Sequence, residues 1–234
     1  MIPLIGDLMD EKIIALDIET LNLDMEKEGL SFDNPTGWKT SCVCIYDAYF
    51  KEEFYYVQDD FIRSLLNSNR SSNKLERTVR EMKYLSQDLE GWFKEGYSLL
   101  THNGTNFDIP ILKKPIEEGG GSCDSVFESN FNHIDMSHSL KQMTTFRFKL
   151  QHLVKGMLGE ERSKLMEAQF APVEWDKGNY AHVIQYCIQD CILNYEVFTE
   201  CASQGEIRAI GDIWDYPTVS FKDFQQFCEL VYPH

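Results

Sequence analysis

Lys12-Ile-Ile-Ala-Leu-Asp17-Ile-Glu19 decides how this chain is read. Residues 12–18 are short and mostly apolar, the signature of a strand buried on both faces. Two acids sit at its end. Residues i and i+2 of a strand point to the same side, so Asp17 and Glu19 project together from an apolar setting. Adjacent buried carboxylates raise each other's cost of ionisation, and bound cations relieve it. Oxygen donors in an incomplete protein cage favour Mg²⁺ or Mn²⁺. The spacing alone is weak, because D-x-E recurs at Asp24/Glu26 and Asp88/Glu90. The preceding strand singles out Asp17/Glu19.

Working outward, residues 41–50 and 52–58 are rich in Val, Ile, Tyr and Phe and read as two more strands with a turn near Lys51-Glu52. Residues 61–69 read as a helix. Residues 74–95 place Leu75, Val79, Met82, Leu85, Leu89, Trp92 and Phe93 at helical spacing, the strongest amphipathic stretch in the chain. Strands are expected at 97–102 and 132–136. Helices are expected from near Phe107, over 149–158 ending at Gly159, and over 178–200. Gly119-Gly-Gly-Ser122 lacks the Gly-Lys-Ser/Thr ending of a phosphate-binding loop and reads as a linker. A three-strand meander followed by alternation predicts an α/β sandwich with a mixed sheet. The expected organisation is one domain over 1–234, with a core over 1–200. An aromatic-rich extension over 201–234 would pack on that core through residues such as Trp214, Tyr216, Phe221, Phe224, Phe227 and Tyr232.

The 234 residues suffice for one well-buried domain. No apolar run is long enough to span a bilayer, and the N-terminus lacks a basic signal-peptide start, so the expected location is cytoplasmic. Seven cysteines cannot all pair internally. Cys42/Cys44 and Cys187/Cys191 are close pairs. Neither is accompanied by the second Cys or His pair of a structural zinc site, so buried thiols in a reducing compartment are expected. Five of the histidines, His102, His133, His138, His152 and His182, show no ligand spacing and read as satisfied side chains.

The formal charge of −16 opposes strong backbone binding to nucleic acid. Two segments run against it: 62–94 with seven bases and four acids, and 141–164 with six bases and two acids. Arg147, Lys149 and Lys155 are the expected phosphate contacts. The rival set, Lys74, Arg77, Arg80 and Lys83, shares its stretch with Glu76 and Glu81 and reads as a salt-bridged surface.

Two further patterns carry chemistry. Asn103-Gly-Thr-Asn-Phe107-Asp108 occurs once, at a strand-to-helix junction where an acid suits the helix dipole. Tyr186 and Asp190 are spaced i, i+4 and share one helix face. In order, D-x-E, N-x-x-x-F-D and Y-x-x-x-D resemble the three motifs of the DEDD 3′→5′ exonuclease superfamily, in its tyrosine subclass. Gln185 stands where the histidine subclass would carry its histidine. The resemblance covers residues 12–200. Within the superfamily, Thr101-His-Asn-Gly-Thr-Asn-Phe-Asp-Ile-Pro110, His133-Ile-Asp-Met136 and Leu150-Gln-His-Leu-Val-Lys-Gly-Met-Leu-Gly159 are similar to the proofreading domain of family A phage-type DNA polymerases. No polymerase domain follows in this sequence, so a stand-alone enzyme is expected.

The resemblance implies a ribonuclease H-like three-layer sandwich whose sheet is mixed and centrally parallel. It implies two divalent cations, Mg²⁺ or Mn²⁺, held by Asp17, Glu19, Asp108 and Asp190, with Asp17 bridging them. Two such ions suit in-line displacement at phosphorus. Tyr186 is expected to orient the attacking water, since a phenol of pKa about 10 is a poor base at neutral pH. Thr20, Leu21, Asn103 and Phe107 are implied neighbours of the terminal nucleotide. The expected partner is the 3′ end of single-stranded or frayed DNA, with a replication complex or polymerase as a candidate further partner and no membrane. An RNA exonuclease of the same subclass and a silent protein-docking module on the same fold are the alternatives.

Overall fold

The structure is a computed structural model that describes residues 12–31, 35–127, 131–162, 166–213 and 215–221. Of the expected tail aromatics, Trp214, Phe224, Phe227 and Tyr232 lie outside the described residues.

Strands β1 (Ile13–Thr20), β2 (Thr40–Asp47) and β3 (Glu52–Val57) form the expected antiparallel meander. Strands β5 (Ser98–Thr101) and β6 (His133–Asp135) join β1 in parallel on its other side. With β4 (Arg80–Glu81) at the far edge, the order is β4-β3-β2-β1-β5-β6. The helices are α1 (Asp60–Ser68), α2 (Leu85–Lys94), α3 (Asp108–Glu118), α4 (Cys123–Phe127), α5 (Met136–Thr144), α6 (Leu150–Leu158), α7 (Ala171–Asp176) and α8 (Tyr180–Gln204).

Helices cover both faces of the sheet, which is why β1 reads as an unbroken apolar run. Its period of two divides the core. Ile13 and Ala15 join the cluster built with α6, α7 and α8. Ile14, Leu16 and Ile18 join the opposite cluster with α2 and α3. The odd positions of β1 therefore face α8, and Asp17 and Glu19 inherit that side.

Three expectations need correction. Residues 74–95 are not one helix. Lys74 has a left-handed backbone (φ 55°), Arg80 and Glu81 pair with Tyr56 and Val57 as an edge strand, and α2 begins only at Leu85. Apolar spacing satisfied two environments in succession, and strand pairing overrode helix propensity. The second strand stops at Asp47 rather than residue 50, because its carboxylate accepts the amides of Tyr49 and Phe50 and turns the chain. The last helix runs to Gln204, beyond the expected boundary at residue 200, and ends at a left-handed Gly205.

Beyond α8, strand β7 (Glu206–Ile207) pairs with β8 (Val219–Ser220), and Tyr216 packs on Phe146, Phe148 and His152. No helix among the described residues is long and apolar enough to cross a membrane.

Candidate active site

Three elements deliver the acids. β1 carries Asp17 and Glu19 towards α8, and a register shift between Glu19 and Thr20 ends the regular pairing just after them. α8 presents Tyr186 and Asp190 one turn apart, buried to 1% and 5% exposure. An exposed helix acid and a half-buried tyrosine, the ordinary alternatives for these two residues, are thereby excluded. The Tyr186 phenol is pushed well above its usual pKa, by burial first and then by the charges of Asp190, Glu19 and Asp17; it also donates a hydrogen bond to Asp190.

Asp108 arrives from the opposite layer, at the first residue of α3. Its carboxylate accepts the backbone amides of Asp108 and Ile18, which brings it against β1. Burial, with the charge of Asp135 added, pushes its pKa up to about 7. The Cys191 thiol feels Asp17, Asp190 and Asp108 together. The four acids and the tyrosine thus converge at the C-terminal end of β1.

Asp135, which in the sequence stands only within the expected strand 132–136 and the His133–Met136 similarity, organises the approach. Its carboxylate accepts the amides of Asn103 (2.8 Å) and Thr105 (2.9 Å) and caps α5 through His138 (3.0 Å). Burial alone would raise its pKa, but these donors outweigh it and hold the carboxyl below its usual range. The loop is tight. Asn103 is left-handed (φ 72°), and a Cβ on Gly104 would stand 2.3 Å from the Thr101 hydroxyl. The available signal in the sequence was an acid near the end of the expected strand 132–136, a residue type that favours an N-cap.

Of the expected substrate contacts, Leu21 is 40% exposed, so core packing does not account for it. Thr20 is buried, and Phe107 packs edge-on against Trp38 at 5.2 Å. The basic residues depart from expectation. Lys149 and Lys155 both face Asp212, at 3.8 and 3.3 Å, as do His152 and Gln151. The expected phosphate contacts are therefore partnered by an acid from the segment after β7, a long-range pairing. Arg147 is exposed. The rival basic stretch is ion-paired as expected, with Arg77 on Glu52, Arg80 on Asp88 and Lys83 on Glu81.

The cysteines are also rearranged by the fold. Among the described residues, six cysteines are buried. The pairs that look separate in sequence meet, because Cys44 is registered opposite Asp17 and Cys42 opposite Glu19, under α8. Among the described residues, two donor groups could hold a metal: Asp17, Glu19 and Cys187, and Cys42, Cys44 and Cys187. Within each, the ligand atoms lie within 4.8 Å of one another.

A mixed sheet between helical layers, with acids gathered at the end of its central strand, defines the class. The particular family follows from comparison: a model described as the RNase H superfamily matches residues 16–201, and the chain belongs to that superfamily. No curated protein matches it. Among solved structures the chain is similar to the family B DNA polymerase from the hyperthermophilic archaeon Pyrobaculum calidifontis, at 9% identity and a TM-score of 0.53, covering 82% of this chain and 26% of that one. It is also similar to E. coli exonuclease I in complex with a dA16 oligonucleotide, at 12% identity and a TM-score of 0.46, covering 82% of this chain and 41% of that one. The chain thus spans well under half the length of either protein.

Proposed function

We propose that this chain is a metal-dependent 3′→5′ exonuclease of the tyrosine subclass, working on single-stranded or frayed DNA ends in a reducing, cytoplasmic setting. The observation that carries the reading is the convergence of Asp17, Glu19, Asp108, Asp190 and Tyr186 at one strand end. Membership of the RNase H superfamily supports nuclease chemistry. The proposed organisation is a catalytic body to about residue 200 with the following segment packed on it.

The donor set fits divalent cations. Four acids gather at one strand end, and burial makes the charge of Asp108 costly. Asp17, Glu19 and Asp190 would hold one ion, and Asp108 with Asp17 a second; Mg²⁺ or Mn²⁺ suits such oxygen donors. When bound, the ions supply charge stabilisation to the attacking and leaving oxygens.

The chain's own groups do the rest. Tyr186, kept protonated by burial and by its carboxylate neighbours, acts as a hydrogen-bond donor that orients water and not as a base. Asp135 holds the 103–107 loop, fixing Phe107 and Asp108 relative to β1. Leu21 and Phe107 offer apolar surface to the terminal base, and Asn103 a polar edge. The leaving group is the 3′ oxygen of the shortened strand, and the product is a nucleoside 5′-monophosphate.

The test uses 5′-labelled single-stranded DNA, the matching RNA and a mispaired primer–template, each with Mg²⁺, Mn²⁺ or chelator. A metal-dependent ladder shortening from the 3′ end of DNA is the expected result. Shortening of RNA alone would replace the substrate assignment, and no shortening of any strand would sink the reading.

A further inference from the structure

Four of the buried thiols sit on two facing elements directly behind the carboxylates. Cys42 and Cys44 are i, i+2 on β2 and both face α8. Cys187 and Cys191 are i, i+4 on α8 and face the strand. The Cys187 thiol donates to the carbonyl of Asp17 at 3.4 Å, and the Cys191 thiol to that of Cys44 at 3.3 Å. Small apolar-like packing is the usual role of a buried cysteine. Packing alone does not call for three sulfurs meeting at one point beside two carboxylates.

We propose that Cys42, Cys44 and Cys187 form a binding site for a thiophilic divalent cation of the zinc class, which shares Cys187 with the Asp17–Glu19 carboxylates and is entered past them. Three observations support this. The three sulfurs lie within 4.8 Å of one another. Around a tetrahedral ion with Zn–S bonds of about 2.3 Å, sulfurs stand roughly 3.8 Å apart, so each pair needs to close by no more than about 1 Å. Cys187 also belongs to the second donor group with Asp17 and Glu19, so its sulfur links the thiol site to the carboxylates. The thiols are buried, whereas Asp17 is only partly so. An ion would therefore pass through the carboxylate end, exchanging water for oxygen and then sulfur ligands, with each ligating thiol releasing its proton.

The affinity order favours zinc over Mn²⁺ at sulfur-containing sites, and Mg²⁺ has little preference for sulfur. A zinc-class ion bound through Cys187 stands beside Asp17 and Glu19, whose oxygens lie within 4.8 Å of that sulfur, and its charge opposes the harder ions there. Occupancy and exonuclease activity then exclude each other. That consequence rests on the proposed function, but the site itself does not.

The test is a Co²⁺ titration of the full chain after chelator and a phosphine reductant. The expected result is a sulfur-to-cobalt charge-transfer band with tetrahedral visible bands that saturates at one Co²⁺ per chain and is displaced by equimolar Zn²⁺. C187S and the C42S/C44S double variant lose the band and at least about a hundredfold in affinity. C201S, at a buried cysteine elsewhere on α8, keeps both. D17N/E19Q keeps the band at lower affinity. Circular dichroism checks that each variant is folded. Should the strand and helix variants not fold, the wild-type spectrum decides alone: saturation without a charge-transfer band overturns the site, as does a band that survives in folded C187S. An inactive nuclease leaves the cobalt spectrum unchanged, so failure of the functional reading is distinguishable from failure of this one.

Discussion

Asp108→Asn separates what this acid does for catalysis from what it does to the fold. The Asp108 carboxyl is 4% exposed, and burial lifts its pKa to about 7 from the ordinary 3.8. A raised folded-state value means that the native chain binds this proton more tightly than the unfolded chain. Stability from the group is complete below about 3.8 and is lost as pH rises through about 7. At about 1.4 kcal/mol per unit, the full loss approaches 4 kcal/mol above pH 7 without metal. Asparagine keeps an oxygen to accept the Ile18 amide and carries no charge. In chelator at pH 8, D108N is therefore expected to be the more stable protein by up to about 4 kcal/mol. For a chain of this size that is roughly 8–16 °C in melting midpoint. The advantage falls by more than half at pH 5. Mn²⁺ raises the wild-type midpoint and moves the variant less, while D108N loses activity. Thermal melts at pH 5 and 8, with chelator and with Mn²⁺, read all of this. A D108N protein less stable than wild type at pH 8 in chelator would refute the reasoning.

Y186F removes a phenol that donates to a buried carboxylate. A hydrogen bond to a charged group is worth about 1.5–3 kcal/mol, so kcat should fall about 10- to 100-fold; steady-state kinetics at saturating DNA that show kcat unchanged would remove its positioning role. D135A strips the acceptor of the Asn103, Thr105 and His138 amides and should cost about 3 kcal/mol at neutral pH. Because the Asp135 pKa is depressed in the fold, its contribution is present above about 3.8 and lost as pH falls further. Denaturant melts should therefore show the gap to wild type closing in acid. D212N releases Lys149 and Lys155 from their shared partner. If both then meet phosphate, the slope of log affinity for single-stranded DNA against log salt steepens by about 1.4, and an unchanged slope in anisotropy titrations would show that they do not.

Local rules made much of the site readable. The period of a strand put Asp17 and Glu19 on one side, and the period of a helix put Tyr186 and Asp190 on one face. Asp108 opened its helix as a first-turn acid should. What stayed hidden was set by partners distant in the chain. The register that lays Cys42 beside Glu19 and Cys44 beside Asp17 depends on β-pairing, and the approach of Cys187 depends on how α8 crosses that pair. Asp135 reaches back some thirty residues to a loop, and Asp212 some sixty to two lysines. The stretch from residue 74 misled for a related reason: its apolar spacing is real, but Tyr56 and Val57 recruit Arg80 and Glu81 into the sheet.

The central claim is that the acids at the end of β1 hold the ions that cut the 3′ terminal bond. Its most direct test is a time course on 5′-labelled single-stranded DNA in Mg²⁺, with wild type beside D17N at equal concentration. The account predicts shortening from the 3′ end by wild type and a rate lower by several orders of magnitude in a D17N protein that still folds. Equal rates in the two proteins would contradict it.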